Sequence, residues 1–449
     1  MHEQARSEQP AAAAAGATGR VRAVDAFRAF ALTMVVVGHW LAFALVEQDG
    51  ALTGRHLQQV WPPGDYLTWV FQVMPVFFLV GGYGNAASWT RRRGATTTLS
   101  WVGTRLWRLL VPAAVLLVAV TAAVTVLRLV LADTDLVDLA VTQVGIPLWF
   151  LAVYVAVVPM TPALVAAVDR RGLHVPVALL GAALVADVLF VHLGVPLVGY
   201  LNYLFFWVGV YALGVTWRRG ALSRRPPVPA LLAGGGLLAA VLLVWWGPYP
   251  VSMLAAQGEV VQNNGPPSAA LVSLALAQTG VVLALQPSVE RWCERRRVWA
   301  AVVRVNSVAM TMYLWHMVAA LGAAMLFWAL GLVQRAEPAT PQWWMWRPVW
   351  YLTCLALLLA LIAVFGRFEQ LPVAVEPGRT TTPARTAGVV LGVLLICAGM
   401  VQLAINGLGA GPAGLPVLGL LGFGAGAALL ATTTGVRPTP GRGRASLPR

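Results

Sequence analysis

The first apolar run of the chain, with its flank, carries four ionisable side chains: Arg22-Ala-Val-Asp25-Ala-Phe-Arg28-Ala-Phe-Ala-Leu-Thr-Met-Val-Val-Val-Gly-His39-Trp40. Arg28 and His39 are eleven residues apart. At about 100° per residue that is close to three full helical turns, so a helix puts both on one face, about 16 Å apart along its axis. Asp25 lies at i, i+3 from Arg28, close enough to pair with it. Ionisable groups inside an apolar segment are costly and by default mark function. A guanidinium fork suits phosphate or carboxylate oxygens, and a neutral imidazole can take a proton from a hydroxyl. A plainer reading stands beside this one: Asp25 and Arg28 form an interfacial ion pair, and His39 bonds a neighbouring helix. A late apolar run offers a second imidazole in Tyr313-Leu-Trp-His316, with Tyr313 about one turn earlier on a similar face. His316 is either a second polar group of one site or an inter-helix hydrogen bond.

What positions these residues follows from composition. Hydrophobic residues make up 59% of 449 positions and charged residues 11%, against about 25% charged in soluble domains. Such a chain cannot cover a water-facing surface of its size. Twelve apolar runs long enough to cross a bilayer are expected, at roughly 24–46, 66–88, 106–131, 147–168, 175–193, 198–217, 229–246, 267–285, 302–331, 346–366, 388–405 and 413–431. The fold class is therefore all-α, a polytopic membrane helical bundle.

The loops alternate in charge. Arg20 and Arg22, then Arg91, Arg92, Arg93 and Arg105, then Arg170 and Arg171, then Arg218, Arg219, Arg224 and Arg225 fall on one side. Arg295, Arg296, Arg297 and Arg304, then Arg367, Arg379 and Arg385, and finally Arg437, Arg442 and Arg444 continue the pattern. An intervening loop carries Asp133, Asp135 and Asp138. The positive-inside rule then puts both termini in the cytoplasm of a multi-pass cell-membrane protein. Arg28 lies near the cytoplasmic face on this topology, and His39 past the midplane. The net charge of +14 is thus a topology signal, not a nucleic-acid surface. No lysine occurs, a coding bias that suggests a GC-rich, bacterial genome. Cys293, Cys354 and Cys397 have no metal or disulfide spacing, and no metal is expected. Trp61, Trp69, Trp89, Trp101, Trp343, Trp344 and Trp346 sit near expected helix ends, where interfacial rings belong. Asn85, Asp187, His192 and Asn202 read as packing groups between helices.

The first run resembles the opening helix of the acyltransferase 3 family, which carries an arginine, ten intervening residues and a histidine. Further motifs follow in order. Pro75-Val-Phe77-Phe78-Leu-Val-Gly81-Gly82-Tyr83 is similar to the family's Phe-Phe-x-x-Ser-Gly-Phe segment, with Gly81 where serine is commoner. Arg105-Leu-Trp-Arg108 resembles its Arg-x-x-Arg, and Leu148-Trp149-Phe150-Leu151 with Tyr154 its fourth helix. Asn306-Ser307 through Tyr313-Leu314-Trp315-His316 resembles its late signature. The resemblance covers about 20–366 and implies a membrane O-acyltransferase that takes an acyl group, most commonly acetyl, from acyl-CoA. It makes His39 the catalytic candidate and Arg28 the donor-binding candidate. Read from the residues themselves, His316 is a second catalytic candidate, Arg105 and Arg108 are donor-binding residues or positive-inside anchors, and Asp25, Trp149, Tyr154 and Tyr313 are substrate-binding candidates or packing groups. The implied partners are acyl-CoA, the bilayer and a hydroxyl-bearing glycan, glycolipid or natural product.

Two spans exceed the ten-helix core of the family, and no esterase-like C-terminal domain is present. The expected organisation is a disordered cytoplasmic N-terminus at 1–21, the acyltransferase domain at 22–366, a linker at 367–387, two further helices at 388–431 and a disordered tail at 432–449. The competing reading is a transporter or flippase of a lipid or sugar conjugate. Twelve spans suit that class, but the chain lacks the related halves from which such proteins are often built.

Overall fold

The computed structural model describes residues 20–48, 51–130, 135–222, 227–254, 261–332, 338–377, 380–409 and 415–439. The expected disorder at 1–19 and 440–449, and the loop residues Asp49, Asp133, Arg224, Arg225 and Arg379, lie outside them.

The chain opens with α1 (Arg22–Ala42), a hairpin of β1 (Phe43–Gln48) and β2 (Ala51–His56), and the short α2 (Leu57–Val60). Then come α3 (Gly64–Phe71), α4 (Met74–Arg92), α5 (Thr98–Val130), α6 (Asp135–Gly145), α7 (Leu148–Val157) and α8 (Thr161–Arg171). Next are α9 (His174–Val191), α10 (Asn202–Arg218), α11 (Pro227–Trp246), α12 (Ala269–Trp292) and α13 (Arg296–Ser307). The last elements are α14 (Ala309–Ala329), α15 (Pro341–Glu369), β3 (Val373–Val375), α16 (Pro383–Asn406), α17 (Val417–Thr434) and β4 (Val436–Pro438). Among the described residues, twelve helical segments are long and apolar enough to cross a membrane.

Helix α1 is an inner element. Ala23, Phe27, Ala31, Leu32, Val35, Val36 and Trp40 are buried at helical spacing against the main core. Both of its ends are capped by other helices. The Glu290 carboxylate of α12 accepts from the backbone N–H of Arg22 and Ala23 at 3.1 and 2.7 Å, satisfying two orphan donors at the positive end of the helix dipole. At the other end, α15 supplies Trp350 Nε1 to the Trp40 carbonyl at 2.9 Å, and Arg347 to the Leu41 and Phe43 carbonyls at 3.3 and 3.1 Å.

Three expectations need correction. The ninth span begins at Ala309, not near 302. Residues Arg296–Ser307 form the separate amphipathic helix α13, with Val302 buried and Arg296, Arg297 and Arg304 exposed. The break is stabilised by Glu369, whose carboxylate accepts from the Met310 and Thr311 backbone N–H at 3.0 and 2.9 Å. The tail after Gly435 is not irregular from its start, because Val436–Pro438 pair antiparallel with Val373–Val375. Val436 is fully buried there, which supplies the apolar contact that holds the strand. Trp89 and Trp101 are buried and pack edge to face at 5.6 Å rather than at a lipid interface.

The last two helices are integral to the bundle. Helices α16 and α17 approach so closely that a Cβ on Gly426 would lie 2.5 Å from the Gly392 carbonyl oxygen. Small residues permit such contact, which dispersion and packing favour in lipid. Helix α16 also rests on α7, where the Cys397 thiol donates to the Ala152 carbonyl at 3.2 Å.

Candidate active site

Helix α1 carries a different arrangement at each end. Near its C-terminus, His39 meets His316 of α14. His39 Nδ1 lies 3.0 Å from His316 Nε2, and the ring centroids are 4.9 Å apart. The other nitrogen of His316, Nδ1, bonds the Tyr313 carbonyl oxygen. A carbonyl only accepts, so His316 Nδ1 carries the proton and its Nε2 presents a lone pair. His39 Nδ1 must then donate, which leaves His39 Nε2 unprotonated. The pair therefore fixes one tautomer and leaves one nitrogen of His39 basic, the requirement for a general base. His316 is fully buried and His39 half-buried.

Neighbouring side chains hold this geometry. Trp40 Nε1 donates to the His316 carbonyl at 2.9 Å, tying α1 to α14 beside the histidines. Tyr351 donates to the Val37 carbonyl at 3.3 Å. Arg347 is 7% exposed, stacks 3.4 Å from the Trp343 ring and caps α1 one turn beyond His39. Sequence reading missed Arg347. It stands in a tryptophan-rich stretch that resembles an interfacial anchor, and only its depth in the fold shows the difference. His56 was missed as well. Pairing of Phe43 with His56 in the hairpin brings it within electrostatic reach of His39. His56 lies outside the spans, and burial holds its pKa below the usual 6.5.

At the N-terminal end, Arg28 pairs with Asp25 at 2.9 Å, as the spacing suggests. Its Nε donates to Asn306 Oδ1 at 2.6 Å, while Asn306 Nδ2 donates to the Asp25 carbonyl at 2.9 Å. The Asp25 carboxylate is also engaged by Arg20 at 2.6 Å. Asp25 is thus committed to arginines. The Nη1 edge of Arg28 has no protein acceptor among the described residues, and its side chain is 39% exposed. Arg105 is half-buried beside the Trp101 ring, and Arg108 is exposed one turn further along α5.

The remaining residues divide. Tyr154 is half-buried and within electrostatic reach of Arg28 and Arg105. Tyr313 is buried and donates to the Pro147 carbonyl at 2.7 Å, a bond between helices. Trp149 is half-buried against Phe150 and Trp207, with centroids 6.2 and 6.3 Å away. Asp187 and Asn202 serve as inter-segment ties, Asp187 to Tyr249 and Asn202 to the Ala183 and Pro267 carbonyls. Among the described residues, no group of three or more His, Cys, Asp or Glu is placed to hold a metal ion.

Fold and site together define a polytopic membrane protein with a paired imidazole at one end of a buried helix and arginines at the other. A family model described as an acyltransferase domain matches residues 21–366, and the chain belongs to the acyltransferase 3 family. It is accordingly a membrane acyltransferase. Comparison with curated proteins and with solved structures gave no match.

Proposed function

We propose that the protein transfers an acyl group, acetyl in the first instance, from acyl-CoA to a hydroxyl of a glycan, glycolipid or natural product. His39 acts as general base. Its Nε2 removes the acceptor's hydroxyl proton as the oxygen attacks the thioester carbonyl carbon. The carbon–sulfur bond breaks, and the proton passes from His39 to the departing thiolate, giving free CoA and an ester. His316 orients His39 and accepts from its Nδ1–H throughout, so it is a positioning residue. Arg28, Arg105 and Arg108 bind the donor's phosphates at the cytoplasmic face, and Asp25 sets the angle of Arg28. Both termini are cytoplasmic on this reading. The acceptor's hydroxyl then reaches His39 from the opposite half of the membrane.

The observation that carries the reading is the His39–His316 contact at 3.0 Å, closed by the Tyr313 carbonyl. Two neutral imidazoles bonded in series would be an expensive way to pack two helices, but they are an economical way to fix a tautomer. The test is release of free CoA from radiolabelled acetyl-CoA by the purified protein in liposomes, with cell-envelope extract as acceptor. Release by wild type and not by His39→Ala supports the reading. Equal release by both removes His39 from the chemistry.

A further inference from the structure

We propose that the Tyr154 hydroxyl donates a hydrogen bond to a carbonyl oxygen in the amide-bearing arm of the acyl donor. It would hold that arm on its way from the arginines to His39. This rests on the acyl-CoA reading above.

Hydrogen-bond accounting carries the proposal. The Thr161 hydroxyl lies 2.7 Å from the Val158 carbonyl oxygen, which can only accept, so the single proton of Thr161 is spent there. Tyr211 Oη lies 2.6 Å from Thr161 Oγ and must donate to it. The Asn85 amide nitrogen lies 3.3 Å from Tyr154 Oη and donates to it. Tyr154 therefore accepts from Asn85, and its own proton has no protein acceptor among the described residues. The hydroxyl is half-buried among aromatic rings, so a proton left over there is free for a ligand or a water.

The hydroxyl is also held in place. Its ring packs between Phe77, Phe78 and Phe150, with centroids at 5.5, 5.6 and 5.9 Å. A Cβ at position 81 would stand 2.7 Å from Tyr154 Oη, so Gly81 keeps that space open for the phenol. Helix α7 links the two ends of the site. Pro147, just before it, is bonded by Tyr313, three residues from His316. Tyr154 is seven residues further on, about 10 Å along the axis, and there it meets the fields of Arg28 and Arg105. Arg28 and His39 are about 16 Å apart along α1, and α7 runs from Pro147, tied to Tyr313, to Tyr154 within electrostatic reach of the arginines. An acyl-CoA with phosphates at the arginines and its thioester at His39 must lay its amide-containing arm along this interval. Amide carbonyls are strong acceptors for a neutral phenol.

The test uses Tyr154→Phe, which keeps the ring and removes only the donor. Acetyl-CoA kinetics and calorimetric titration with CoA are measured on the full chain, with size exclusion confirming the fold. The expected result is a KM for acetyl-CoA and a Kd for CoA raised about 3- to 10-fold, the range for one neutral hydrogen bond, with kcat nearly unchanged. The effect should add to that of Arg28→Lys, since the two residues would touch different parts of the donor. Unchanged KM and Kd overturn the proposal. A fall in kcat alone also overturns it, because it would put the hydroxyl at the reacting carbonyl. If wild type binds no CoA, the donor reading itself fails, and this proposal with it.

Discussion

The two ends of α1 differ in how completely their polar groups are used. At the histidine end, His39 is bonded to His316, and the Trp40, Leu41 and Phe43 carbonyls are taken up by Trp350 and Arg347. Helix ends ordinarily leave their last carbonyls to solvent or to local caps. Here a second transmembrane helix provides the cap. At the arginine end, Arg28 is oriented by Asp25 and Asn306 yet keeps unpartnered N–H groups and partial exposure. The difference matches two tasks. Proton transfer requires a base fixed to within a fraction of an ångström. Anion binding requires oriented donors that are still unspent.

Substitutions can break that comparison at either end. The largest expected effect is at His39. His39→Ala should lower the rate of acyl transfer about 10²–10⁴-fold, the usual contribution of a general base, with little change in KM for the donor. Steady-state CoA release measures both. Next is Arg28→Ala, which should raise KM for acetyl-CoA by about 10-fold or more, the worth of a charge-assisted hydrogen bond, and disturb kcat less. If Arg28→Ala lowered kcat alone, the division of labour between the two ends would be wrong.

Arg347→Met tests the clamp. It leaves the Leu41 and Phe43 carbonyls without their guanidinium and should cost about 1–3 kcal/mol. Hydrogen exchange should accelerate in residues 39–43 and not around Arg28. Uniform acceleration along α1 would show that the cap is not local. The smallest effect concerns His56. Burial depresses its pKa in the folded hairpin, so the unfolded chain binds the extra proton near pH 6. Its contribution to stability is present above about pH 6.5 and is lost as pH falls. Tm should decline less between pH 7.5 and 5.5 in His56→Gln than in wild type.

Much of this frame was legible in the sequence. Apolar runs and alternating arginine loops gave the twelve spans, since bilayer thickness and topology act directly on composition. The 11-residue spacing put Arg28 and His39 on one helix face because helical geometry is local. The contact of His39 with His316 was not legible in that way. Those residues are 277 positions apart, and no periodicity encodes which helices become neighbours. Motif order placed His316 in the site, and only the packing of α14 on α1 shows a bond. Arg347 was hidden for a related reason, because its cationic side chain beside three tryptophans has the composition of an interfacial anchor. Helix α13 was merged into the ninth span since Val302, Val303 and Val305 extend the apolar run. Its break depends on Glu369, 58 and 59 residues after the N–H groups it accepts from.

The pairing of the two imidazoles is the centre of the account, and a double-mutant cycle tests it most directly. Rates of CoA release would be measured for wild type, His39→Ala, His316→Ala and the double variant. If His316 works only by orienting His39, the double variant is no slower than His39→Ala, to within about three-fold, and the effects are non-additive. A double variant slowed by the product of the two single effects would contradict this, and His316 would then need a role of its own.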